Sequence, residues 1–124
     1  MDNKSLTNLE IYQISLDLSS KAWLIFQSID KSLQFSLGNQ FLKSTDSIGA
    51  NIAEGFGRFH YKDSLKFYYN SRGSLFETKH WLELLKNRSL ISVSEYDELN
   101  AEIDILAIKL NNFINYLKNK ASTS

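Results

Sequence analysis

Glu77-Thr78-Lys79-His80 has the Glu-x-x-His spacing with which helical bundles bring a carboxylate and an imidazole to one face and hold a pair of iron ions. Such a centre needs a second copy of the motif and a Glu from each remaining helix. The other histidine, His60, stands in no such motif, so no metal site is expected. The chain has no cysteine, which excludes disulfides and thiolate ligands. Nothing in the sequence positions any of its many serines beside a histidine and a carboxylate, so hydrolysis has no support. Gly55-Phe56-Gly57 lacks the preceding strand and wider glycine pattern of a phosphate loop, and suits a helix end instead. The residues point to no enzyme and no cofactor.

What remains is recognition. Arg58-Phe59-His60-Tyr61-Lys62, followed by Lys66-Phe67-Tyr68-Tyr69, interleaves bases with aromatics, as proteins that grip unpaired RNA do. Residues 58–88 hold seven Lys and Arg against three carboxylates, net +4, whereas 95–104 are acidic. The formal charge of the whole chain is zero. That argues against strong non-specific attraction to a phosphate backbone and leaves room for a local patch. Arg58, Lys62 and Lys66 are the candidate nucleic-acid contacts. The competing reading puts the aromatics in the core and the bases on an ordinary solvated face.

These residues must be positioned by helices. The chain of 124 residues fits one domain, 1–124, and contains no proline, so long helices can run without interruption. No run approaches the ~20 apolar residues of a membrane span, and the polar start shows neither signal nor anchor, so a cytoplasmic protein is expected. The apolar spacing predicts four helices, over about 6–29, 34–57, 62–87 and 94–119, with short links: an all-α, antiparallel up-down-up-down four-helix bundle. Ser92-Val93-Ser94-Glu95 has the spacing of a capping box at the start of the fourth.

The first helix carries two seams: Leu9, Tyr12, Leu16, Ser19, Trp23 and Phe26, then Ile11, Ile14, Leu18 and Ile25. Residues two apart lie about 200° apart around a helix, so both sides are apolar. A partner subunit over the second seam is the economical cover, giving an expected homo-oligomer with Ile11, Ile14, Leu18 and Ile25 at the interface, against the alternative that both sides are buried inside the bundle.

The second helix sets a polar stripe (Gln40, Ser44, Ser47, Asn51, Glu54, Arg58) beside its core seam. A hairpin turning near residue 60 would oppose positions whose numbers sum to about 120. Lys43 is then expected to pair with Glu77, and Arg72 to bond into the stripe at Ser47 and Asn51. Ser47, Asn51, Glu54, Arg58, Arg72, Glu77 and Lys43 form the expected structural polar seam.

The stretch Ser47-Ile48, Asn51-Ile52-Ala53-Glu54-Gly55-Phe56-Gly57-Arg58, with Gln40, Phe67, Arg72-Gly73-Ser74-Leu75-x-Glu77 and the opening Leu9-Glu10-Ile11-Tyr12-Gln13, resembles the four-helix-bundle family of ribosomal RNA intervening-sequence proteins. The match spans almost the whole chain in order. The resemblance implies a homopentameric, barrel-like ring of bacterial origin, encoded within intervening sequences of large-subunit ribosomal RNA genes, with a poorly defined biochemical role. A basic relative is the accessory protein of diversity-generating retroelements, which binds the reverse transcriptase and nucleic acid. Two functions are therefore expected to compete: a non-enzymatic homo-oligomer associated with RNA, or a protein-interaction scaffold that never touches nucleic acid.

Overall fold

The computed structural model describes residues 5–123, and among them every regular element is helical. A 3-10 turn at Leu6–Asn8 leads into α1 (Glu10–Ser28). A short helical turn (Lys31–Leu33) and a π-helical segment (Gln34–Gly38) run straight into α2 (Asn39–Phe56). Then follow α3 (Tyr61–Asn87) and α4 (Val93–Thr123). Among the described residues, no helix is long and apolar enough to cross a membrane.

Each boundary has a local cause. Asp30 precedes the second helical stretch without a side-chain cap. Gln34 serves the end of α1 instead, its Nε2 donating to the carbonyls of Phe26 (2.9 Å) and Ile29 (3.3 Å). Those are among the carbonyls a helix end leaves without partners. After α3, Leu90 N donates to Leu85 O and Ser89 N to Lys86 O, a Schellman closure. Ser89 holds the left-handed position there, at φ 57°, where glycine is usual. Ser92 and Glu95 form the expected reciprocal box: Glu95 N donates to Ser92 Oγ (3.0 Å) and Ser92 N to Glu95 Oε1 (2.8 Å).

The core runs the length of the bundle, with Leu18, Ile48, Ile52, Leu75, Leu82, Ile103, Leu106 and Leu110 fully buried. Between α2 and α3 each step forward meets a step back: Thr78 donates to Ser44 (3.0 Å), Ser71 to Ile48 O (2.8 Å), and Tyr68 packs on Gly55. These contacts realise the expected sum near 120.

Ion pairs tie α1 to α4. Lys21 meets Asp17, Glu98 and Glu102 at 3.1, 3.2 and 2.9 Å, and Lys109 meets Glu10 at 3.2 Å. Burial holds the Glu102 carboxyl above the usual carboxylate range, whereas hydrogen bonds from Glu102 and Lys21 hold Asp17 below it.

The first helix is apolar on two sides, as expected, but the sides are exchanged. Ile11, Leu18 and Ile25 are buried in the core of their own chain and Ile14 packs against it, so these four residues are not a free interface. The outward side carries Leu16 (47% exposed) and Trp23 (48%). Small residues decide the matter. Ser15 and Ala22 share the inward face, and Ser15 Oγ lies 2.8 Å from where a Cβ on Gly49 would be. α1 and α2 can approach that closely only along this face.

Candidate functional site

The stretch from Ser47 to Arg58 and the corner that follows it gather most of the residues expected to matter. Gly55 is not a helix cap. It lies inside α2, buried, and a Cβ there would stand 2.6 Å from Cε2 of Tyr68. The helix ends at Gly57, whose φ of −77° needs no glycine freedom.

The polar seam between α2 and α3 exists, but other residues make it. Ser44, Ser71 and Thr78 are buried, and bond across the helices through Thr78 to Ser44 and Ser71 to Ile48 O. Thr45 is buried too, its hydroxyl donating to Phe41 O at 2.7 Å within α2. Ser47 and Asn51 bond within their own helix, Asn51 Nδ2 donating to Ser47 O at 2.9 Å.

Neither expected pair forms. Lys43 is exposed, and Glu77 accepts from Trp81 Nε1 at 3.1 Å. Arg72 turns to α4 and donates to Asn111 Oδ1 at 3.0 Å, its guanidinium 5.3 Å from the Tyr69 ring. The register was right and the rotation was not. Lys43 and Glu77 sit one position from Ser44 and Thr78, and one position is a 100° turn, enough to swing a side chain out of the seam. His80 packs edge-on to Trp81. Among the described residues no group of three or more potential ligands gathers around a metal-sized space.

At the corner, Arg58 donates to Glu54 Oε2 at 3.1 Å, lies 3.9 Å from Asp63, and covers the Phe67 ring at 4.5 Å. Lys66 reaches Asp63 at 3.5 Å and the same ring at 5.2 Å. Two of the three expected nucleic-acid contacts, Arg58 and Lys66, thus already have carboxylates beside them. Lys62 makes no ion pair among the described residues. Phe59 projects almost entirely into solvent (92% exposed).

Beside this corner the start of the chain, α3 and the far end of α4 enclose a cleft of about 340 Å³. Its lining includes Phe59, Tyr61, Tyr68, Phe113 and Tyr116. Sequence reasoning missed Phe113, Tyr116 and the part played by Tyr68, because no local spacing joins the two ends of the chain to the corner.

The 23S rRNA-intervening sequence protein family matches residues 7–112. The chain belongs to this family. The match runs through the whole of α1, α2 and α3 and most of α4, and so takes in the Ser47–Arg58 stretch and the corner of this intervening-sequence protein. A crystal structure from Bacteroides thetaiotaomicron VPI-5482, of a protein of unknown function from the S23 ribosomal protein family, is similar at 25% identity and a TM-score of 0.78. The similarity covers 84% of this chain and 97% of that one. No functionally curated protein matches the sequence.

Proposed function

We propose that this intervening-sequence protein is a non-enzymatic, cytoplasmic homo-oligomer, a pentameric ring of antiparallel up-down-up-down bundles that associates with RNA at the aromatic corner. The observation that carries the assembly is the outward apolar side of α1. Leu16 and Trp23 stand seven residues apart, hence on one face, and each is half exposed. On α4, Ile105 and Ile108 form a second exposed apolar patch (49% and 63%). A closed ring with more than two members joins one patch of each subunit to a different patch of the next. Two unlike apolar faces on one small bundle fit that requirement, and burying them removes the aggregation hazard of leaving both wet.

The RNA association is supported by the corner: exposed Phe59, the neighbouring rings and the unpaired Lys62. A second reading, a protein-interaction scaffold without nucleic acid, is favoured by Arg58 and Lys66 having carboxylate partners. Salt separates the two. Binding of a single-stranded RNA should fall steeply with salt if Lys62 meets phosphate, whereas binding to an apolar protein partner should not. No measurable RNA binding at low salt would leave the scaffold reading standing.

A further inference from the structure

Tyr68 is the least expected polar group in the molecule. Its side chain is only 2% exposed, yet its hydroxyl makes no hydrogen bond among the described residues. Among the described residues no fully enclosed side-chain polar atom lacks a partner, so this oxygen keeps access to solvent, and the cleft is a space that Tyr68 lines. Burial alone raises the hydroxyl to about 12, so it remains a neutral donor across the ordinary pH range.

Around that donor the walls are aromatic. Phe113 meets the Tyr68 ring edge-on, centroids 5.0 Å apart, and Tyr116 lies 6.2 Å from Phe113. Phe59 and Tyr61 also line the cleft, and line a second recess with His60, Lys62 and Ala121. Lys120 Nζ lies 5.5 Å from the Tyr116 ring, and Lys62 lines the neighbouring recess. Arg58 contributes to the wall, its charge already met by Glu54 and Asp63.

We infer that the cleft takes one unpaired nucleobase of a single-stranded RNA. The base stacks on the exposed rings and accepts a hydrogen bond from Tyr68, while its phosphate meets Lys62. A volume of about 340 Å³ lies at the small end of the range for ligand sites and is ample for one base. Aromatic faces with cations at the rim are how irregular RNA is held without a long basic groove. The inference rests on the RNA association proposed above and gives it a place that does not depend on Arg58 or Lys66.

The test uses the full-length protein with two probes: a short single-stranded RNA carrying one 2-aminopurine, and free AMP. The RNA should bind with a change in 2-aminopurine emission, and AMP should shift the ring signals of Phe59, Phe113 and Tyr116. Phe59→Ala and Tyr116→Ala, which remove exposed rings, should each weaken RNA binding about tenfold. Tyr68→Phe keeps the ring and the packing, and should weaken it about two- to tenfold. RNA bound with unchanged emission and at wild-type affinity in all three variants would overturn the cleft site and leave RNA association intact. AMP seated in the cleft without any RNA binding would support the base site and overturn the RNA association. Neither probe binding would overturn both.

Discussion

The ring of Tyr68 occupies the space that a side chain at position 55 would need: Cε2, Cζ and Cδ2 lie 2.6, 2.9 and 3.0 Å from a Cβ placed on Gly55. Phe113 backs the same ring from α4, so it has no easy retreat. One missing methyl thus fixes how closely α2 and α3 approach at the corner, and through Tyr68 it sets the floor of the cleft.

Gly55→Ala is therefore expected to destabilise the fold by about 1–3 kcal/mol through overpacking. Gly73 is the control. It is exposed on the same hairpin, and a Cβ there meets nothing within 4 Å. Gly73→Ala should stabilise by about 0.5–1 kcal/mol, because alanine has less backbone entropy to lose in a helix. Urea denaturation of both variants checks the pair, and equal effects would refute the close packing at Gly55.

Ser89 is a non-glycine residue in the left-handed position that closes α3. Ser89→Gly is expected to raise stability by about 0.5–1 kcal/mol. Three residues on, Ser92→Ala should lower it by about 1 kcal/mol by opening the capping box. A thermal melt in which Ser89→Gly is neutral or harmful would show that the turn is not strained.

The Tyr96 hydroxyl donates to Glu83, joining the start of α4 to the end of α3. That bond is the main cause that raises Tyr96 to about 12, and it holds the Glu83 carboxyl below its ordinary value. For Tyr96, a raised value in the fold means a contribution fully present below pH ~10 and lost as pH climbs from there through 12. For Glu83, a lowered value means a contribution present above pH ~4.3 and lost as pH falls through the folded value. Tyr96→Phe should flatten the stability profile at both ends, while wild type keeps a plateau between. A urea-midpoint series against pH reads this directly, and identical curves would remove the bond from the account.

Much of this architecture was legible in the sequence. The four helices, the capping box and the α2–α3 register follow from apolar periodicity and a few polar side chains, which are local signals. The two apolar sides of α1 were legible as well, but not which one turns inward. That depends on Ser15, Ala22 and Gly49, whose small size a hydrophobic pattern does not weigh. The seam residues Lys43, Glu77 and Arg72 were misplaced because long charged side chains escape to the edges of a helix pair, and the buried bonds fall to Ser44, Ser71 and Thr78. The cleft was beyond reach, since Tyr68, Phe113 and Tyr116 come together only when α4 packs across the corner.

The exchanged sides of α1 make the two sets of substitutions separable. Leu18→Ala removes a fully buried side chain and should cost about 2–5 kcal/mol of subunit stability. Leu16→Glu and Trp23→Glu alter the outward face and should leave the fold of each bundle largely intact. Circular dichroism of the variants distinguishes loss of folding from loss of assembly.

The most direct test of the assembly is the native mass by light scattering, taken on the wild type and on the double variant Leu16→Glu/Trp23→Glu. The wild type should have the mass of the pentameric ring proposed above, about five chains. The double variant should remain helical and fall to the single-chain mass of 14.3 kDa. A wild type that runs at 14.3 kDa, or a double variant that keeps its assembled mass, would contradict the outward face of α1 as the joint between subunits.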